Sequence, residues 1–474
     1  MSQRPQDTIE RALAAARSDD CIVIADETST ANLRWAGNTL TTDGAARTRR
    51  LTVIAIDRRA DGAAVGVVSR SGIRDDQVEE IVRAAEKEAA EGSPAEDAEP
   101  LIGPDATASS GEQDDGERRG WNDPPERTGI GALRIFAADL GETLRAAEGA
   151  GRKLYGYAEH QLTSTFLGSS TGLRLRHDQP SGKVELNAKS ADMTRSAWAG
   201  QSTRDFAAVD VPGIEAGLAE RLEWARRRVE LPAGRYETLL PPTAVADLLI
   251  YLYWSAGAKD ALDGRSVFSK PGGGTRVGEQ LTSQPVTLRS DPAFPGLESS
   301  PYVIAHASSR QSSVFDNGLP LGPTDWIRHG ELSSLIQTRY TAQLSGLPVT
   351  PAIGNLIFET ADDAHAPRMG DMIARTERGL LLTCLWYIRE VDPQTLLLTG
   401  LTRDGVYLVE NGEVTGAVNN FRFNESPVGM LGRLAEVGAS GPALPREWGD
   451  YFSRVNMPPV RVDGFNMSSV SQAS

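Results

Sequence analysis

Histidine, cysteine and lysine are scarce in this chain, and each shortage excludes something. The five histidines are His160, His177, His306, His329 and His365; none falls between His177 and His306, and no two have the spacing of a helical ligand pair. The two cysteines, Cys21 and Cys384, sit far apart in apolar surroundings, CIVIAD and LLTCLWY. Buried free thiols in a reducing compartment fit them better than a disulfide. Acids are abundant, but they form no spaced cluster of the kind that calcium or magnesium needs. Six lysines stand against forty-three arginines, which is read as genomic composition bias without mechanistic weight. A membrane span needs about 20 apolar residues. The most apolar segment of the chain runs unbroken only from Leu248 to Trp254. The start, MSQRPQDTIERALAAA, has no apolar h-region, so no secretory signal is read there and the expected location is the cytoplasm.

The chain has 474 residues, 40% of them apolar, with a net charge of -15. That length suits two or three domains with proper cores. The charge counts against nucleic acid or an anionic membrane as partner, since both want a basic patch. Ten acids against three bases lie between Gly92 and Arg127, in a stretch of Pro, Gly, Ser, Asp and Glu with almost no apolar residues. Such a stretch buries too little to offset its ordering entropy, and 92–127 is expected to be an exposed loop or disordered insert.

The pattern predicts an α+β protein: an N-terminal α/β domain over 1–230, then a strand-rich domain over 231–474 containing a long buried helix. Helices are expected at Thr8–Arg17, Asp75–Glu91, Leu133–Ala147 and Gly213–Val229. Short strands are expected at Cys21–Asp26, Ala31–Trp35, Leu51–Ile56 and Ala64–Ser69. Their gaps are too short for crossover helices, so the sheet should be antiparallel. Two longer strands come next, at Tyr155–Leu167 and Leu173–Ala191.

Beyond Arg235–Leu240 the expected strands are Gly272–Gly274, Pro292–Pro295, Tyr302–Ala307, Asn355–Glu359, Leu380–Trp386, Thr395–Leu401, Val406–Val409 and Val460–Gly464. Short helices are expected at Ser333–Leu344, Met369–Glu377 and Met430–Val437. Asn411-Gly412 between two apolar runs signals a hairpin.

Thr243–Leu262, TAVADLLIYLYWSAGAKDAL, reads as the long helix, with Thr243 as N-cap and Gly264 just past its end. Asp247, Tyr251, Ser255 and Lys259 recur every fourth position and form one polar stripe on an apolar cylinder.

Two motifs invite chemistry. Gly168-Ser169-Ser170-Thr171-Gly172 matches a nucleophile elbow in form, but it joins strand to strand, and a hairpin turn is the expected outcome. Pro271-Gly272-Gly273-Gly274-Thr275 lacks both the Lys-Ser/Thr of a phosphate loop and the dinucleotide-binding spacing.

The order of several stretches resembles the TldD/PmbA family over nearly the whole chain. They are Ala244–Asp260 leading into Gly264–Phe268 (GRSVF), Leu288–Pro292 (LRSDP), Ser313–Leu319 (SVFDNGL), Gly330–Gly346, Thr376–Leu380 (TERGL) and Gly405–Gly412. Leu33-Arg34-Trp35 and the Gly168–Gly172 hairpin extend the likeness into the first domain. Known complexes of this family pair a zinc-bearing TldD subunit with a metal-free TldE (PmbA) subunit. The resemblance implies that the zinc subunit's helix carries H-E-x-x-x-H, with a later cysteine completing the site. Aligned on Leu248-Leu249, this chain has Ile250 and Ser255 at the histidine positions and Tyr251 at the glutamate, and its end holds no cysteine. It therefore resembles the TldE side.

By this resemblance the chain is expected to be a non-catalytic, substrate-channel subunit with no metal ligands or general base, and no cofactor of its own. Zinc is expected in a TldD-like partner, the pair forming a metallopeptidase that cleaves unfolded or small peptides held in extended form. Tyr251, Trp254, Ser255, Arg310 and Asp316 are the candidate channel residues. Two other readings are a homodimer that binds peptide or a small ligand without hydrolysis, and an enzyme of another class using Ser170 or a carboxylate.

Overall fold

The computed structural model describes residues 4–107 and 120–471. The first half is organised by one antiparallel sheet. Its strands are β1 (Asp20–Ala36), β2 (Thr39–Arg59), β3 (Gly62–Ser71), β4 (Arg152–Ser169), β5 (Arg174–Ser190) and β6 (Ser196–Ser202), in the order β3-β2-β1-β4-β5-β6. The stretches expected as separate strands at Cys21–Asp26 and Ala31–Trp35 are one strand. The polar residues between them are paired on both sides, Glu27 with Arg49 on β2 and with Ser164 on β4, so nothing interrupts the ladder.

Alternation along β1 explains its nearly unbroken apolar start. Cys21, Val23 and Ala25, and further on Ala31, Leu33 and Trp35, point to one face. The helices α1 (Pro5–Ala15), α2 (Val78–Glu91), α4 (Arg134–Gly149) and α5 (Val211–Trp224) contribute to the two cores on that face; between α2 and α4 lies the single turn α3 (Pro104–Thr107). Ile22 and Ile24 point the other way, and with Ile54, Ile56, Leu167 and Leu173 they pack on Val314 and Phe315 of the second half. A strand buried on both faces reads as continuous hydrophobicity, and CIVI is that case.

Helix ends differ from expectation for local reasons. α1 begins at Pro5, in the first turn where a missing N–H costs nothing. α5 stops at Trp224 because Arg228–Val229 leaves the helix to pair in parallel with Glu413–Val418. The expected insert at 92–127 is a loop, but its described flanks are anchored: Ile102 and Trp121 are buried, and the Gln6 side chain donates to the carbonyl of Trp121 at 2.6 Å. Its centre, 108–119, lies outside the described residues.

The second half carries two sheets. The smaller contains Thr324–Arg328, Val286–Ser290, Leu356–Thr360 and Val455–Met457 as consecutive neighbours; the larger pairs Gly234–Leu240 with Arg378–Leu382 on one side and Val460–Val470 on the other. The Asn-Gly hairpin forms between Val406–Glu410 and Glu413–Val418, with φ of 53° at Asn411 and 83° at Gly412.

Three expected strands do not form. Gly272, Gly273 and Gly274 all take positive φ, which a pleated strand excludes. Pro292–Pro295 is a turn in which Asp291 accepts from the backbone of Ala293 and Phe294. Tyr302–Ala307 keeps a single bridge, from Tyr302 to Pro320, because the Asn317 side chain takes both backbone groups of Ala305. The expected helix at Met430–Val437 is instead a short helix, Pro427–Leu431, followed by the strand Leu434–Val437.

The long helix is two helices, α6 (Pro242–Trp254) and α7 (Ala258–Leu262), and its N-cap is Pro241 rather than Thr243. The break at Ser255–Gly257 has a cause. Ile336 donates its N–H to Ala256 O at 2.8 Å and accepts from Ala258 N at 2.9 Å, so the backbone there pairs as a strand. Gly257 also faces Gln311 too closely for a Cβ. Gly264, with φ of 75°, ends α7 as expected. No described helix is long and apolar enough to cross a membrane.

The two halves meet closely at Gly318. Its φ is 85°, and a Cβ there would lie 2.5 Å from Leu173 Cδ1. Gly318→Ala is expected to lower stability in chemical denaturation by about 1–3 kcal/mol, from left-handed strain and overpacking; an unchanged midpoint would show that the contact is not tight.

Candidate functional site

The face of the first sheet that carries Ile22 and Ile24 changes character along its strands. After Ile24 the next residue on that face is Asp26; before Leu167 on β4 come Thr165 and Thr163; after Leu175 on β5 come His177 and Gln179. Register places Thr165 opposite His177 and Thr163 opposite Gln179. Thr165 donates to Asp26 Oδ1 at 2.7 Å, and His306 of the second half brings Nε2 to 3.5 Å from Asp26 Oδ2. The apolar part of this face is sealed by Val314 and Phe315. The polar part is roofed by the segments around Ser299–Ala305, Gln311–Ser313 and Gly354, leaving a cavity of about 340 Å³. Burial pulls the His177 and His306 imidazoles below the ordinary value, so both favour the neutral ring at neutral pH.

The helix that the sequence singled out stands behind this cavity. Asp247 on α6, placed by the pattern on a polar stripe, is fully buried. Its carboxylate accepts from Arg446 N at 3.1 Å and Glu447 N at 2.9 Å, while its own carbonyl accepts from Trp448 Nε1 at 2.9 Å. That clamp sets Trp448 against Tyr251 and Trp254, with ring centroids 5.7 and 5.2 Å away. Burial outweighs the N–H donors and holds the Asp247 carboxyl well above the usual range.

Of the residues at the expected ligand positions, Ile250 is fully buried in the core, the Ser255 hydroxyl donates to Tyr251 O at 2.9 Å, and burial raises the Tyr251 phenol. Zinc wants imidazole, thiolate or carboxylate donors, and this set does not fit it. Among the described residues no group of three or more His, Cys, Asp or Glu side chains is placed to hold a metal.

The other expected channel residues are occupied by internal contacts. Arg310 bridges Asp260 and Asp263 at α7. Asp316 borders the cavity, where it is buried and ion-paired with Arg339 Nε at 2.6 Å. Tyr251, Trp254, Ser255 and Arg310 are not part of the cavity lining. Trp254 reaches it indirectly, since its carbonyl accepts from Gln311 Nε2 at 2.6 Å. Ser170 sits in a hairpin turn, as expected, where its Oγ accepts from Cys21 N at 3.1 Å and lies 3.3 Å from Asp20 Oδ1.

The family model of the PmbA/TldA metallopeptidase C-terminal domain matches residues 233–469. The chain belongs to the TldD/PmbA family. Its fold is similar to that of TldE from Thermococcus kodakarensis, with a TM-score of 0.76 at 16% identity, covering 97% of this chain and 99% of that one. It is similar also to a protein of Thermotoga maritima described as a candidate modulator of DNA gyrase, with a TM-score of 0.74 at 16% identity and coverage of 97% and 99%. At such identity the likeness is one of fold. A comparison with curated proteins gave no significant match.

Sequence reasoning missed His177, Ser299, Tyr302 and Arg454, all in the cavity wall. The alternation of Thr163, Thr165 and Leu167 was the signal that could have pointed to a polar sheet face; nothing local marks the four residues.

Asp247 yields a pH test. Its folded-state pKa lies above the unfolded value, so its stabilising contribution is full below about pH 4 and is lost as pH rises through the folded pKa. Relative to wild type, Asp247→Asn is expected to gain in stability between pH 4 and 7, measured by urea unfolding. A difference independent of pH would show that the carboxyl is ionised throughout.

Proposed function

We propose that this chain is the non-catalytic, substrate-channel subunit of a TldD/TldE-type metallopeptidase, working beside a zinc-bearing TldD-like partner on unfolded or small peptides. The observation that carries the reading is the donor chemistry of α6: at the positions where the zinc subunit would place its ligands and base, this chain has the buried Ile250, the bonded Ser255 and the phenol Tyr251. Membership of a metallopeptidase family supports the reaction class.

The cavity supports the substrate class. Its lining mixes polar side chains on strands with apolar groups such as Val303, Ile304 and Leu321 on irregular backbone, surroundings that suit an extended chain held mainly through backbone hydrogen bonds. A narrow entrance that excludes folded proteins would set specificity by size. The segment from Arg446 to Arg454 links α6 to the cavity, so the helix that carries chemistry in the partner would here only anchor a segment of the wall.

Co-expression with a TldD-like chain tests the proposal. The expected result is a co-purifying pair whose peptidase activity is abolished by a chelator, while this chain alone is inactive. Peptide cleavage by this chain alone in excess chelator would overturn it, and copurification with itself only would favour the homodimeric binding protein.

A further inference from the structure

Arg454 leads into the strand Val455–Met457 and borders the cavity between the halves. Its Nε donates to Gly354 O at 2.8 Å. Among the described residues it makes no ion pair, although a guanidinium carries five donors in a fixed fork. Arg339 and Arg176, by contrast, are paired with Asp316 and Asp178. Burial pulls the Arg454 guanidinium below its ordinary value, and no acid offsets that shift.

Two hydroxyls of the same cavity have no partner at all. Ser299 Oγ and Tyr302 Oη are buried without a hydrogen-bond partner. Ser299 and Arg454 converge over Gly354: a Cβ on that glycine would lie 3.2 Å from Arg454 Nη2 and 3.8 Å from Ser299 Oγ, so only glycine leaves the space between them open. Buried polar groups are normally satisfied, and a partly buried guanidinium without an acid partner, converging with the unpaired Ser299 hydroxyl, describes a site waiting for an anion.

We infer that this cavity holds a carboxylate-binding subsite in which Arg454 receives the anion and Ser299 donates to it. One guanidinium balances one negative charge, and with His177 favouring the neutral ring a dianion would keep a charge uncompensated. The two sources of that chemistry are the C-terminus of a bound peptide and a small carboxylic acid. The peptide source rests on the channel reading proposed above; the small-acid source does not.

The test is calorimetric titration of the full chain, without partner or zinc, using N-acetyl-pentaalanine as free acid, its C-terminal amide, butyrate and inorganic phosphate. The free acid is expected to bind roughly tenfold to a hundredfold tighter than the amide, as charge-assisted hydrogen bonds give. Arg454→Gln should bring that ratio near one. Displacement of the peptide acid by butyrate assigns the site to small acids as well, and failure to displace assigns it to peptide C-termini. Equal binding of acid and amide, binding of neither, a ratio that survives Arg454→Gln, or preference for phosphate overturns the inference. If Arg454→Gln does not fold, Arg454→Lys and Ser299→Ala are read instead; each should cut the ratio severalfold, and an unchanged ratio overturns it. Because no partner is present, failure here leaves the co-expression result untouched, and failure there leaves this one standing.

Discussion

The packing of Ile22, Ile24 and Leu167 on Val314 and Phe315 is the contact on which the rest depends. Each fully buried side chain of this kind contributes about 1.5–3 kcal/mol by leaving water. The contact seats the second half over the first sheet, and because side chains alternate with period two it also fixes which residues come next on that face. Thr163, Thr165, His177 and Gln179 are therefore carried under the second half, where they line a cavity, with the buried Asp26 beside them. A one-residue slip in β1 would exchange the two faces and lose both the seal and the polar lining.

On the other side of that cavity the organising group is Asp247. A carboxyl in the middle of an apolar helix is costly unless it is bonded, and here two backbone N–H groups and an indole on the same turn meet it and its carbonyl. The result is mechanical: residues 446–454 are held to α6, Trp448 and Phe452 stack at its end, and Arg454 is delivered to the cavity.

Much of the framework was legible in the order of residues alone. The antiparallel first sheet followed from short connections, the hairpin at Asn411-Gly412 from turn chemistry, and the family from the order of dispersed stretches, supported by the match over 233–469. Errors fell where tertiary pairing competes with local pattern. The helix Thr243–Leu262 is periodic to its end, yet Ile336, remote in sequence, claims the backbone at Ala256–Ala258 and breaks it. Tyr302–Ala307 has strand composition, yet Asn317 captures its hydrogen bonds.

The sequence by itself determined the class of fold, the family, the hairpin character of the Ser170 turn and the absence of zinc-type donors at Ile250, Tyr251 and Ser255, because these depend on residue identity and short-range spacing. Only the tertiary structure decided that Asp316 is held by Arg339, that Asp247 of the polar stripe is a buried clamp, and that the cavity gathers Arg454, which has no acid partner, with the unpaired hydroxyls of Ser299 and Tyr302. Those are facts about which groups remain unpaired after the chain has folded. Pairing is settled by residues far apart in sequence, so no local pattern encodes it.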